Sequence, residues 1–505
     1  MSATPKVRLR LQPMGAEFEV ARGAALQDIL FAHGVEFPCG GRARCKGCRV
    51  RVIEGALPLT PEQEKLLSPE DCAAGWRLAC CGRAEGNLTL ELAQWEAKVL
   101  ADDRAFAFVP RDGLGIAVDL GTTTLAAQLL DLSTANVLAV RTGLNPQARY
   151  GADIMSRVSH AMADQGQARL ERLIREDLGK LARDLLRSAK ADPSAIREMT
   201  IVGNTVMHHL FCGVSIEPLS HYPFEAADDG LKVFSAAELG WEMPNARVRF
   251  LPCFGSFVGS DILAGVLATP LHDSAELMAL VDLGTNGEMV VGTRDRMLCA
   301  STAAGPAFEG ARISQGMRAA TGAISAVAVK EGRLECHVIG DGKPRGLCGS
   351  GLVDAVAGAL EIGKILPSGR LADGAMEMPL RAPVRLTQGD IRELQLAKGA
   401  IAAGLRILLQ QWGAQPGDLT ALHLSGAFGN YINRASARRI GLISYPREVV
   451  HPAGNTALLG AKKALFLADG EDGAYRELRK KVRHIGLSED PNFQEIYVEE
   501  MSFPS

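Results

Sequence analysis

No apolar run in this 505-residue chain is long enough to span a bilayer, and its opening residues carry no signal-peptide pattern. These absences set the expectation of a cytoplasmic protein with no membrane partner. The eleven cysteines lack the spacing of a small secreted scaffold, so a reducing compartment without disulfides is expected. An excess of either charge is also missing: 55 Lys and Arg stand against 58 Asp and Glu, a formal net charge of -3 that gives no footprint for nucleic acid. No Gly-x4-Gly-Lys-Ser/Thr segment occurs, which argues against a P-loop nucleotide site. The length exceeds what one hydrophobic core usually organises, so several domains are expected.

Four of the cysteines, Cys39, Cys45, Cys48 and Cys80, fall in the spacing Cys-x5-Cys-x2-Cys with a distant fourth. An iron–sulfur cluster needs four thiolates, three from one wrapping loop and one from elsewhere in the fold. The loop reads PCGGRARCKGCRV, in which Gly40, Gly41 and Gly47 permit positive backbone dihedrals, while Arg42, Arg44 and Lys46 interleave the ligands. Zinc sites usually show two short Cys-x2-Cys pairs, and here there is one. VRLRLQ and EFEVA alternate like a hairpin, ALQDILFAHG has helical spacing ended by glycine, and RVRVIEG and NLTLEL supply further strands. This order resembles the β-grasp fold of 2Fe–2S ferredoxins over about residues 5–95, with adrenodoxin-like ligand spacing. RLAC resembles the ferredoxin ending, which implies Cys80 rather than Cys81 as the fourth ligand. Cys212, Cys253, Cys299, Cys336 and Cys348 sit singly in apolar segments and read as small core residues.

A second pattern is repeated. GIAVDLGTTTLAAQLLD around Asp119 and ALVDLGTNGEMVVGT around Asp282 each read strand, Asp-x-Gly-Thr turn, strand. Such a turn offers backbone amides and hydroxyls to phosphate oxygens, and the aspartate at the strand end can face hydrated Mg²⁺. Two of them at domain-sized separation imply facing lobes that clamp a nucleotide from both sides. A third segment, TALHLSGAFGNYINRASARRIG, reads as a strand entering a glycine-rich turn at Gly426 and Gly429, then a helix, where adenine and ribose can lie against backbone. In this order the three elements resemble the phosphate-1, phosphate-2 and adenosine motifs of the superfamily of acetate and sugar kinases, Hsp70 chaperones and actin.

Four more segments, NPQARYGADIMSRVSHA, IVGNTVMHHLFCG, STAAGPAFEGARISQGMRA and GLCGSGLVDAVA, narrow the resemblance to the reductive activators of corrinoid proteins. That resemblance implies a multidomain α/β and α+β chain, with a β-grasp ferredoxin domain followed by a two-lobed, actin-like, ribonuclease-H-like ATPase domain. The boundaries expected are 1–95 for the ferredoxin, 96–112 for a linker and 113–505 for the ATPase, with lobes near 113–275 and 276–505. Longer family members carry an extra domain in place of the segment QWEAKVLADDRAFAFVPRDG, part of which is expected to pack on a domain surface. Because that domain is missing, a homodimer contact is left open.

The implied activity is ATP-dependent return of a cobalt(II) corrinoid to cobalt(I), with a 2Fe–2S cluster, ATP and Mg²⁺ as cofactors. The partners implied are the corrinoid protein of a methyltransferase system and a low-potential electron donor. Plant-type 2Fe–2S clusters sit near about -400 mV, so transfer to cobalt would be uphill. A tenfold shift of a one-electron equilibrium takes about 59 mV, which nucleotide-dependent binding of two states can supply. No Asp-x-His-x-x-Gly signature of a B12-binding module occurs, so the corrinoid is expected on another polypeptide.

Asp119 and Asp282 are the candidates to hold Mg²⁺ through water and orient the attacking water. Gly121, Thr122, Thr123, Thr124, Gly284, Thr285 and Asn286 are assigned to phosphate oxygens. Glu288 either accepts a proton or a metal-bound water or is an outward strand residue, and Asn204 either reaches the nucleotide or its metal or caps a helix. Asp261 and Glu309 are further cleft candidates. His208 and His209, adjacent on a helix, point in different directions. The stretch from Leu170 to Ala189 and the helix KGAIAAGLRILLQQWG read as core helices. A metabolite kinase would use the same phosphate turns but has no use for a low-potential cluster. The same motifs would also suit an ATP-driven activator of a non-corrinoid enzyme or an actin-like scaffold with a structural cluster.

Overall fold

The computed structural model describes residues 5–12, 15–31, 33, 35, 41, 43, 46, 48–92, 106–151, 153–340, 342–467 and 472–505. Strict alternation makes the first hairpin: Leu9 and Leu11 turn into the core of Lys6–Gln12 while Arg8 and Arg10 face out. Arg10 meets Glu17 of Ala16–Ala21 at 2.8 Å across the exposed face. Lys6–Gln12 also pairs in parallel with Leu88–Leu92, which is followed by antiparallel Arg49–Glu54 and Trp76–Leu78. The helix Leu26–Phe31 covers this mixed five-stranded sheet, placing Leu26 and Leu30 against Leu9, Leu88 and Leu90. That is the β-grasp arrangement expected from the sequence.

The remainder folds as two lobes of the same plan. In the first, Leu114–Leu120, Thr124–Asp131 and Val137–Leu144 form an antiparallel meander, and Ile196–Gly203 and then Arg247–Phe250 add in parallel to its first strand. In the second, Met278–Leu283, Gly287–Gly292 and Met297–Thr302 repeat the meander, and Ala421–Ser425 and Val450–Gly454 add in parallel. The duplication is that of the actin-like superfamily. Between meander and fourth strand the second lobe inserts the hairpin Ala323–Lys330/Arg333–Val338, the helix Gly349–Glu361 and a second hairpin, Glu377–Arg381/Val384–Thr387. The long helix Gln388–Trp412 then starts at a Thr387/Asp390 capping box and ends at Gly413, whose φ of 87° suits glycine.

Two helices tie the lobes together. Ser260–Ala268 and Thr456–Ala464 cross so closely that a Cβ on Gly460 would lie 2.0 Å from the Ala264 carbonyl oxygen. Their core takes Ala117 and Leu130 from the first lobe and Leu280 and Val290 from the second. The helix Gly166–Ala189 buries Leu170, Ile174, Leu178 and Leu185, and Gln388–Trp412 is likewise packed in the core. No helix among the described residues is long and apolar enough to cross a membrane. Of the expected linker, residues 96–105 lie outside the described residues; Phe106 and Phe108 pack on Phe466. The ferredoxin sheet touches the second lobe where Arg345 pairs with Glu91 at 3.0 Å and donates to the Leu92 carbonyl.

Candidate functional site

Strand alternation decides which side chains meet between the lobes. On Leu114–Leu120, Ile116, Val118 and Leu120 enter the core of the first lobe, so Ala117 and Asp119 face the interlobe side. On Met278–Leu283, Val281 and Leu283 turn outward into the core of the second lobe, which leaves Leu280 and Asp282 facing the first. Glu288 lies directly across from Asp282 in register and shares the face of Val290. It is buried, so the reading of an outward strand glutamate does not hold. In the first lobe the same register position opposite Asp119 is Ala126. The two hairpins are therefore duplicated in backbone but not in charge.

Asp261 joins from the second residue of Ser260–Ala268, whose entry presses on the first lobe: a Cβ on Gly259 would lie 2.3 Å from both the Asn204 Cα and the Gly203 oxygen. Four carboxyls thus face one another. Burial, reinforced by the charge of Asp282 and opposed by a hydrogen bond from Asn455, pushes Asp119 up to about 7. Burial and then the charges of Asp282 and Asp119 bring Asp261 to about 7 as well. Burial raises Asp282 against a hydrogen bond from Ser425, and burial with the charges of Asp261 and Asp282 raises Glu288 well above the usual carboxyl range. Such a set favours a cation nearby. Among the described residues no three acidic, histidine or cysteine side chains converge closely enough to chelate one directly.

The two Asp-x-Gly-Thr turns are held from behind. Asn145 donates its side-chain amide to the Gly121 carbonyl at 2.9 Å and its backbone N–H to the Thr123 carbonyl at 2.8 Å. The buried Arg157 guanidinium donates to the Thr122 carbonyl. Gly121 is required by space, since a Cβ would lie 2.6 Å from the Thr124 oxygen. Thr124 opens the second strand of the hairpin. In the second turn Gly284 N–H donates to the Asn286 carbonyl at 3.1 Å, and the Asn286 side chain bonds Glu288. Asn204 caps Thr205–Cys212, its Oδ1 accepting from Met207 N–H at 3.0 Å, and its Nδ2 donates to Thr122 Oγ1 at 2.8 Å. Glu309 accepts from Thr285 Oγ1 at 2.6 Å and also bonds Thr123, so it joins the hydroxyls of the two turns. His208 and His209 turn to separate carbonyls, those of Gly230 and Thr205, each at 2.9 Å.

Gly426, at φ +84°, begins the glycine-rich turn after Ala421–Ser425, where a Cβ would collide with the Leu283 carbonyl at 2.7 Å and Asp282 Oδ1 at 2.8 Å. Gly429 lies one turn further on, over Leu424. Two contributors escaped sequence reasoning. Ser425 donates to Asp282 Oδ2 at 2.6 Å, and Asn455, the cap of Thr456–Ala464, donates to Asp119 Oδ2 at 2.8 Å. The segment GNTALLGA carried a signal for the latter, an N-cap asparagine before an apolar helix.

In the ferredoxin domain, Cys48 precedes the strand Arg49–Glu54 and Cys80 sits in the turn Ala79–Cys81. The Ala79 amide donates to the Cys48 carbonyl at 3.0 Å, which brings the two cysteines together. Their thiols hydrogen-bond; that contact and burial push Cys80 far up, against a backbone hydrogen bond from Ala43. Cys81 Sγ is 3.8 Å from Cys80 Sγ but bonds Thr60, and burial pushes it up to about 11. Gly41 and Ala43 both have positive φ, 75° and 49°, as a wrapping loop needs. Facing thiols that resist ionisation alone fit a site completed by metal. Cys39 and Cys45 lie outside the described residues.

Three family models match in sequence order: a 2Fe–2S iron–sulfur cluster binding domain over residues 9–85, the RACo middle region over 114–274, and the C-terminal ASKHA domain of RACo over 276–505. The chain is similar to the corrinoid activation enzyme RamQ of Eubacterium limosum, with 34% identity over 79% of this chain and 73% of that one. It is also 30% identical to the Co(II) methylated amine-specific corrinoid protein reductase of Methanosarcina barkeri, over 77% of each. Among solved structures, a reductive activator for a corrinoid iron–sulfur protein superposes with a TM-score of 0.69 at 26% identity, covering 99% of this chain and 98% of that one.

Proposed function

The chain belongs to the reductive activators of corrinoid proteins, and from that premise we propose that it uses ATP to drive a low-potential electron from its ferredoxin domain to the cobalt(II) of a separate corrinoid protein, regenerating cobalt(I). The observation that carries this reading is one chain holding both a two-lobed nucleotide cleft and a ferredoxin domain with facing cysteines. The partner is the corrinoid subunit of a methyltransferase system, and a low-potential protein donor reloads the activator. The cytoplasm is the compartment where such a donor and reduced thiols coexist.

Cys39, Cys45, Cys48 and Cys80 would hold the 2Fe–2S cluster, which supplies one-electron chemistry when bound. Cys81, turned to Thr60, stays a free thiol. Asp119 and Asp282 would hold Mg²⁺ through water, and the ion would neutralise the charge growing between the phosphates. Thr122, Thr123, Thr124, Thr285 and Asn286 receive phosphate oxygens, and the backbone at Gly426 and Gly429 receives the adenosine. Asn455 and Ser425 orient the two aspartates through their side-chain hydrogen bonds. Glu288, whose proton affinity is raised by burial and by the charges of Asp261 and Asp282, takes the proton of the attacking water when it stands in its ionised form. Nucleotide then changes the relative stability of two activator states, and the cobalt equilibrium shifts with them.

The test is ATP turnover by the intact chain with and without a corrinoid protein poised at cobalt(II). Stimulation by the cobalt(II) form over the cobalt(I) form is expected. Phosphorylation of a small metabolite with no response to corrinoid protein would establish a metabolite kinase instead.

A further inference from the structure

We infer that the outer face of the second lobe carries a second ligand site, distinct from the ATP cleft, for a small molecule with a phosphate or carboxylate group on an apolar body. A pocket of about 370 Å³ opens there between the helix Arg434–Arg439, the segment 443–447 and the strand Ala421–Ser425. That volume lies in the range of small-molecule sites, about 300–1,000 Å³. Its floor includes Leu424 and Ile443, both buried, and four arginines stand around it: Arg434, Arg438, Arg439 and Arg447.

The charge at this pocket is not spent within the protein. Arg434 donates to the Val450 carbonyl at 2.9 Å, but Arg438, Arg439 and Arg447 make no ion pair or side-chain hydrogen bond among the described residues. Among the described residues no acidic side chain lines the pocket, and the nearby Glu500 is paired with Arg406 at 3.3 Å. Arg434 and Arg438 are four apart on one helix, where like charges destabilise. Guanidinium groups bind phosphate and carboxylate in a two-pronged fashion, so an anion here would offset that repulsion. The helix start plays no part, since Asn433 already accepts from the Ala435 and Ser436 amides.

Position separates the pocket from the cleft while leaving the two connected. Leu424 belongs to the outer core of the lobe, whereas its neighbour Ser425 reaches Asp282 on the interlobe face. A ligand pressing on Leu424 therefore bears on the strand that enters the adenosine turn at Gly426. This site goes beyond the activator reading and stands or falls without it.

The test is titration of the intact chain with the fluorescent probe 1-anilinonaphthalene-8-sulfonate, an anion on an apolar body. One saturable site per chain is expected, unchanged by saturating MgADP and weakened about tenfold by the exposed substitutions Arg438→Glu and Arg447→Glu together. Phenyl phosphate and benzoate compete in separate arms, and whichever displaces the probe names the anionic group. Arg438→Gln, the milder change, should weaken binding in the same direction. Binding that survives both variants, displacement by MgADP, or displacement by neither anion overturns the inference. Reduction of cobalt by the unsubstituted chain is read independently, so failure here leaves the activator reading untouched.

Discussion

Among single residues, Asp119 carries the sharpest expectation. Asp119→Asn and Asp282→Asn each keep the side-chain shape and remove a charge, so Mg²⁺-dependent ATP hydrolysis should fall at least about 100-fold. The visible absorbance of the iron–sulfur domain should be unchanged, because that domain has its own core. A pH dependence follows from the same carboxyls. Asp119 and Asp261 are raised from 3.8 to about 7, so the folded chain binds more protons than the unfolded chain between those values. The contribution of these two carboxyls to the stability of the nucleotide-free protein should then shrink as pH rises from about 4 to about 7, read as the difference between thermal melts of the parent chain and Asp119→Asn across that window. Binding of MgADP should release protons near pH 7, measured calorimetrically in buffers of different ionisation enthalpy. A parent-minus-variant difference that grows through this window would contradict the arrangement. Cys80→Ser should abolish cluster assembly and Cys81→Ser should not, as judged by iron and labile-sulfide content after anaerobic reconstitution; the reverse result would move the ligand to Cys81. At this scale the sequence was only partly legible. It named Asp119 and Asp282 because an Asp-x-Gly-Thr turn between strands fixes their place. It left Glu288 undecided, since period-two alternation says which residues share a face but not which face meets the other lobe. Asn204 looked like a choice between two roles because one-dimensional spacing cannot reveal that one end of its amide caps a helix while the other holds Thr122.

Among elements, the hairpins were legible and the helices joining the lobes were not. Apolar alternation broken by glycine and threonine is a local signal, and the repeated meanders follow from it. The crossing of Ser260–Ala268 on Thr456–Ala464 is set by residues nearly two hundred positions apart, and neither segment announces its partner. Glycines are the physical trace of that contact. Gly460→Ala would normally favour a helix, but its Cβ would meet backbone that cannot swing away. The substitution should destabilise the ATPase domain by about 1–3 kcal/mol in urea unfolding, and a neutral or stabilising effect would contradict so close a crossing. The glycine-rich turn proposed for adenosine depends on backbone in the same way: Gly426 combines positive φ with a close approach to Asp282, a pairing that glycine alone accommodates.

Across the whole molecule, two independently cored units perform one transfer. The ferredoxin core is self-contained, and the two lobes share a core through their crossing helices. The two units touch through polar contacts: Arg345 pairs with Glu91 and donates to the Leu92 carbonyl, and Gln27 donates its side-chain amide to the Arg149 carbonyl of the first lobe at 3.4 Å. A fragment beginning at Gly113 should therefore fold, bind MgATP and hydrolyse it, yet fail to reduce cobalt. This pairing of domains was the most legible feature in the sequence, because each half carries its own motifs. The central claim is that nucleotide makes an unfavourable electron transfer proceed. Its most direct measurement is the absorbance spectrum of a cognate corrinoid protein at cobalt(II), mixed anaerobically with the intact chain and a low-potential reductant, with and without MgATP. Net conversion to the cobalt(I) spectrum is expected only when MgATP is present and Asp119 is intact; equal conversion without nucleotide, or none with it, would overturn the coupling.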